Sequence, residues 1–204
     1  MCGRYVISPD RDVDLWRAIH AAMGRTEAGG AYRAEGEIRP GDTVPVIAAG
    51  RGGRPAAFAM RWGYSLSDGR RVINIRSETA GEKAAFRDSL RLRRCAVPAS
   101  WYFEWERHGH EKVRYAIEPS DGGPLFMAGL YRAEGKTMEF AILTRDPAEE
   151  IAFIHDRMPA VLTVELAGLW IRPDTDPAAL LRHLDPKMRY EAAGEGPEQM
   201  RMEF

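Results

Sequence analysis

Lysine is nearly missing from this 204-residue chain: Lys83, Lys112, Lys136 and Lys187 are its only lysines, and the rest of its 29 basic residues are arginines. Thirty acidic residues leave a formal net charge of −1, so bulk charge does not draw the chain to nucleic acid or to an anionic membrane. A polyanionic partner needs a local basic patch. The two cysteines, Cys2 and Cys95, form neither a disulfide framework nor a metal-spacing cluster, and no pair of histidines has zinc-ligand spacing. Free thiols in a reducing compartment and no metal are the expectation. No stretch approaches the roughly 20 apolar residues needed to cross a bilayer, and Met1-Cys2-Gly3-Arg4 lacks the apolar core of a signal peptide. The chain is expected to be cytoplasmic, with no membrane partner. Apolar residues at 45% and charged residues at 29% match ordinary globular usage, enough for one core in one domain over residues 1–186. Residues 187–204 are polar and read as a loosely held tail.

There is no internal repeat. After a short strand at Arg4 to Ile7, Ser8-Pro9-Asp10 resembles a helix entrance with Ser8 as N-cap, and Val13, Trp16, Ile19 and Met23 follow at helical spacing up to Gly24. The glycine-rich segment from Arg25 to Gly41 reads as a loop. Strand-like pieces then run over Thr43 to Ala49, Ala56 to Trp62 and Val72 to Asn74, and, beyond a helix at Glu82 to Leu92, over 95–98, 101–107, 113–118, 125–131 and 138–144. Pro147 to Phe153 and Val164 to Ile171 read as helices flanking a strand at Ala160 to Thr163. This is not the regular alternation of a parallel βαβ sheet. The expected fold is α+β, a mostly antiparallel sheet or pseudo-barrel with flanking helices.

Cys2 is the first candidate for chemistry. Removal of Met1 would leave it with a thiol of pKa about 8.5 beside an α-amine of pKa about 7.7–8.0. An aldehyde can condense with that amine to a Schiff base, and the thiol can then close a five-membered thiazolidine. The alternative is a small buried residue beside the start codon. In Trp101-Tyr102-Phe103-Glu104-Trp105-Glu106, strand alternation places the aromatics Trp101, Phe103 and Trp105 on one face and Tyr102, Glu104 and Glu106 on the other. A desolvated Glu104 would have a raised pKa suited to proton transfer; otherwise it is a rim carboxylate. His155, in a loop ahead of a strand, titrates near neutrality or is held by a backbone carbonyl. Asn74 and Arg76 share a strand face, an amide beside a guanidinium, suited to a sugar oxygen or a phosphate. Arg91-Leu92-Arg93-Arg94 reads as a solvated basic face rather than a binding patch.

The ordered set Met1-Cys2-Gly3-Arg4-Tyr5, Arg39-Pro40-Gly41, Arg61-Trp62-Gly63, Asn74-Ile75-Arg76-Ser77-Glu78-Thr79, Arg94-Cys95-Ala96-Val97-Pro98-Ala99, Trp101-Tyr102-Phe103-Glu104-Trp105, Met127-Ala128-Gly129-Leu130-Tyr131 and Ile154-His155-Asp156-Arg157-Met158-Pro159 resembles the SOS-response-associated peptidase (SRAP) family. The resemblance implies a sensor of abasic sites in single-stranded DNA. Cys2 would form a covalent thiazolidine crosslink with the ring-opened sugar, Asn74 would hold sugar and amine, Glu104 would transfer protons, and His155 would help to open the sugar. It also implies DNA contacts at Arg4, Pro40, Trp62, Arg76 and Arg157, with no cofactor, lyase-like side chemistry and self-processing limited to Met1. A monomer in the cytoplasm, associated with the nucleoid when on DNA, completes the expectation. The chain departs from the family pattern at Glu37-Ile38-Arg39, where an asparagine is common, and at Ser100, where glycine is common. Two other readings stay open at this point: an N-terminal-nucleophile hydrolase of the glutamine amidotransferase type, and a non-catalytic single-strand binding module.

Overall fold

The computed structural model describes residues 2–23, 31–108, 111–135 and 137–194. Among the described residues the order begins β1 (Arg4–Ile7), α1 (Val13–Met23), β2 (Gly36–Ile38), β3 (Thr43–Ala49), β4 (Pro55–Trp62), β5 (Tyr64–Ser65), β6 (Arg71–Val72) and β7 (Asn74–Arg76). It continues α2 (Ser77–Ala80), α3 (Ala84–Leu92), β8 (Arg94–Ala99), β9 (Trp101–His108), β10 (Glu111–Pro119), β11 (Leu125–Glu134) and β12 (Thr137–Arg145). The last elements are β13 (Met158–Pro159), β14 (Val161–Leu162), α4 (Val164–Trp170), α5 (Pro177–Arg182) and β15 (Met188–Ala193).

Strands β12, β4, β3, β8 and β11 pair in that order, and a further β12–β11 pairing closes them into a five-stranded barrel. A separate five-stranded sheet has the order β15-β10-β9-β1-β2 and is antiparallel throughout. Pairing is mostly antiparallel elsewhere too; β12 runs parallel to β4 and to β7. The α+β class with a mostly antiparallel pseudo-barrel is therefore the observed one.

Alternation explains why the barrel strands read as continuous apolar runs. Cys95, Val97, Met127, Phe140 and Ile142 point into a core shared with Tyr5 and Tyr102 of the separate sheet. The intervening Ala96, Phe126, Ala128, Ala141 and Leu143 lie in a second core with Phe86 and Trp170 of α3 and α4. Both faces are covered, so neither needs polar residues. Arg94, expected on a solvated basic face, is 2% exposed. Its guanidinium donates to the carbonyls of Leu90, Arg91, Trp170, Arg172 and Thr175, satisfying the C-terminal ends of α3 and α4 that a helix leaves without partners.

Gly129 lies opposite Cys95 in the β11–β8 register, where an added Cβ would stand 2.9 Å from Cys95 Sγ and 3.1 Å from the Ala141 carbonyl oxygen. That oxygen belongs to a paired strand and cannot withdraw freely. Gly129→Ala is expected to cost about 1–3 kcal/mol, read as a lower urea midpoint at unchanged m-value. An unchanged midpoint would mean that the barrel absorbs the methyl.

Three local expectations change. The first helix begins at Val13 rather than at Ser8, because the Ser8 carbonyl instead accepts from Arg11 N at 3.1 Å in a preceding turn; its expected stop, Gly24, lies outside the described residues. Pro147 to Phe153 forms only a 3-10 turn over Glu149–Ile151, since Ala148 is extended. Residues 188–193 are not part of a loose tail. They form an edge strand bonded to β10 from Pro119 to Arg114, and an edge strand can remain polar because its backbone supplies the pairing while Met188 alone is buried.

Candidate functional site

Cys2 precedes β1, and its side chain is fully buried. Its thiol lies 3.7 Å from the Arg4 carbonyl, to which it donates, and burial together with the nearby Glu104 charge pushes its pKa up. The Cys2 carbonyl accepts a 2.8 Å hydrogen bond from Asn74 Nδ2. Asn74 heads β7, which pairs with β12 through Ile142, so the amide is anchored on the barrel wall. Asn74 Oδ1 is buried without a hydrogen-bond partner in the structure. While Met1 is attached, the Cys2 nitrogen is a peptide amide rather than an amine.

The residue behind Asn74 is Trp62, and here an expectation is corrected. Trp62 is 1% exposed, so its indole cannot stack on a base in this conformation. Its ring packs against Tyr5, with centroids 5.2 Å apart, and Phe140, at 6.3 Å, and its Nε1 donates to the Ile73 carbonyl at 3.0 Å. Trp62 thus fixes the approach to Asn74. Its carbonyl also accepts from Gly41 N at 2.8 Å, which staples the Arg39-Pro40-Gly41 turn to the barrel and leaves Pro40 exposed. Gly41 has φ +98°, a conformation open to glycine at little cost.

Glu104 lies on the inner face of β9, opposite Tyr115 in the register, with Tyr102 two residues away on the same face. It is 3% exposed, and burial raises its pKa to about 7. The desolvation comes from the interior, because the flanking Phe103 and Trp105 point to the other face, where guanidinium groups cover them. Glu106 accepts from the Tyr115 hydroxyl at 3.0 Å and is half-buried at the rim.

His155 Nδ1 stands 2.6 Å from Asp156 Oδ1 and 3.1 Å from Arg157 N. A neutral ring satisfies one of these at a time, donating to Asp156 or accepting from Arg157, and that choice sets the role of Nε2. Burial, with the N-terminal charge and more weakly that of Arg107, lowers the His155 pKa, although Asp156 opposes the shift. Asp156 also raises the Glu104 pKa, which ties the His155 loop electrostatically to Glu104. A cleft of ≈ 630 Å³ opens beside His155, with Arg76, Trp105, Arg107, Phe153 and Asp156 among its walls. Cys2, Asn74 and Glu104 are not wall residues of this cleft.

Of the residues expected to touch DNA, Arg76 is exposed on the cleft, and Arg4 is half-exposed, 2.7 Å from Glu37. Arg157 is different. It is 8% exposed, and its guanidinium donates to Asp146 at 2.6 Å, Glu78 at 2.8 Å and the Thr144 carbonyl at 2.7 Å. Those bonds engage both terminal nitrogens and hold the guanidinium against β12 and α2, while Arg157 remains a wall residue of the cleft. Arg114 went unread in the sequence, since a single arginine on a separate strand carries no spacing signal, and Glu37 registers there only as a departure from the family pattern. Among the described residues, no group of three His, Cys, Asp or Glu side chains could hold a metal ion.

A family model described as SOS response associated peptidase (SRAP) matches residues 1–194. The abasic site processing protein YoqW of Bacillus subtilis is 31% identical over 199 residues, covering 91% of this chain and 87% of that protein. The abasic site processing protein YedK of Escherichia coli is 33% identical over 185 residues, covering 85% of this chain and 81% of its own. A crystal structure of a phage-related protein from Bordetella bronchiseptica superposes with a TM-score of 0.72 at 25% identity, covering 95% of each chain.

Proposed function

The chain belongs to the SOS response associated peptidase (SRAP) family, and on that premise we propose that it captures abasic sites in single-stranded DNA through a thiazolidine on Cys2. Relatives named abasic site processing proteins, aligned along most of their own length, support the substrate class. Membership of this family sets aside the glutamine amidotransferase reading. The observation that carries the chemistry is a buried carboxyl, Glu104, whose pKa of about 7 lets it both take and give a proton, in electrostatic contact with the Cys2 thiol.

The reaction balances without an outside reagent. Removal of Met1 exposes the α-amine of Cys2. The amine nitrogen adds to the sugar aldehyde carbon, and the carbinolamine loses its hydroxyl as water to give an imine. The thiol sulfur then bonds to the same carbon while its proton passes to the imine nitrogen, closing the ring with a net loss of one water. Glu104 accepts protons from the nucleophiles and returns one to the leaving hydroxyl. The amide of Asn74 fixes the Cys2 carbonyl and so the residue bearing both nucleophiles. His155 at the cleft assists ring opening of the sugar by exchanging a proton with its oxygens. Arg76 and Arg107 on the cleft wall suit the flanking phosphates, which need no sequence readout.

Incubation of the protein with an abasic single strand and with an intact strand of the same sequence, followed by a denaturing gel, tests this function. A heat-stable shifted band is expected with the abasic strand alone. Equal binding of both strands with no surviving adduct would favour a non-catalytic module.

A further inference from the structure

We infer that Arg4, Arg39 and Arg114 form a phosphate site next to the cleft, and that Glu37 occupies it in the free protein. The inference rests on the DNA-binding function proposed above: Arg4 is already among the DNA contacts that the family resemblance implies, and what is new is its grouping with Arg39 and Arg114 and the occupancy by Glu37.

Glu37 Oε1 accepts from Arg4 Nη1 at 2.7 Å and stands 3.3 Å from Arg39 Nε, while Oε2 accepts from Arg114 Nη2 at 2.6 Å. Three guanidinium groups around one carboxylate leave a net charge of +2. Burial raises the Glu37 pKa, but the hydrogen bonds and charges of Arg4 and Arg114 outweigh it, so the group is ionised at neutral pH. Arg114 is held firmly: its side chain is 14% exposed, and its guanidinium lies 3.5 Å over the Phe103 ring and 5.7 Å from that of Trp105. Its outer nitrogen Nη2, not the buried Nε, is the one that faces Glu37. Arg4 covers the same Trp105 at 5.8 Å.

Trp105 links this cluster to the cleft. It is a wall residue beside His155, while Arg4 and Arg114 lie over its ring. A strand leaving the cleft past Trp105 therefore meets three guanidinium forks, which suit a backbone phosphate as well as they suit a carboxylate. A phosphate entering must displace Glu37 or share the cluster with it, and either lowers the affinity.

The test compares wild type, Glu37→Gln, Arg114→Gln and the double variant for binding an intact, unmodified single-stranded oligonucleotide over a range of salt, with thermal melts of each protein alongside. Glu37→Gln is expected to bind roughly three- to tenfold tighter at low salt, with a log–log salt slope steeper by about 0.7, the value for one added cation on a single strand. Arg114→Gln in the same background is expected to cancel the gain. Affinity and slope unchanged in a Glu37→Gln protein that only melts lower would overturn the proposal and leave the cluster a structural ion-pair network. The intact strand carries no aldehyde, so tighter binding by Glu37→Gln alongside a failure to crosslink abasic DNA would overturn the capture chemistry and leave this site standing.

Discussion

Cys2→Ala is expected to abolish the heat-stable adduct with an abasic single strand, a loss of at least about 100-fold in crosslink yield, while the fold persists. The substitution removes one sulfur from a packed interior and is expected to cost no more than about 1–2 kcal/mol. It also separates the two nucleophiles. Once Met1 is removed, the variant retains an α-amine that can form an imine with the sugar aldehyde, but no thiol follows to close the ring. A borohydride-trapped adduct should therefore survive in Cys2→Ala although the untrapped adduct does not. An undiminished heat-stable adduct in this variant would place the bond on another residue.

Glu104→Gln is the second large effect. The amide keeps the shape but cannot take or release a proton, so crosslinking is expected to slow by about 100-fold or more, the usual size of a positioned acid–base contribution. The pH profile gives a sharper reading. With a carboxyl pKa of about 7, the wild-type rate should change through neutrality, and that inflection should vanish in Glu104→Gln. Stability moves the other way. The folded-state pKa of Glu104 is raised above the ordinary glutamate value of 4.5, so the folded protein holds this proton more tightly than the unfolded chain. The group is then without penalty below about pH 4.5, and its ionisation costs stability progressively as pH rises to about 7. Glu104→Gln removes that cost and is expected to melt at or above wild type at pH 8. A variant that is slow only because it is unfolded would contradict this assignment.

Much of the fold was legible because alternation and turn residues are local signals. Thr43 to Ala49 is read with its observed bounds, and Trp101-Tyr102-Phe103-Glu104-Trp105-Glu106 shows its two faces directly. A pseudo-barrel was legible, but not which strands close it, since closure depends on β12 pairing with both β11 and β4, and the second of these is a parallel contact of two residue pairs. The helix Pro177–Arg182 passed unread despite its start signal, an Asp176 side chain that accepts from Ala178 and Ala179 N with Pro177 in the first turn, because six residues give too little periodicity.

For the site, Cys2, Asn74, Glu104 and His155 are each legible in the sequence as candidates, and their relative placement comes from the structure. Burial was the hidden variable. A tryptophan in a motif reads equally well as a stacking platform or as a core ring, and the contacts with Tyr5 and Phe140 decide for the core at Trp62. The sequence likewise does not show that the arginine after His155 is held by Glu78, Asp146 and the Thr144 carbonyl while still lining the cleft.

The intact mass of the denatured adduct, measured together with its count of alkylatable thiols, addresses the central claim most directly. The account predicts the mass of the chain without Met1 plus the abasic oligonucleotide less one water, with Cys95 alkylated and Cys2 protected. An adduct that retains Met1, or one in which both cysteines remain open to alkylation, would contradict it.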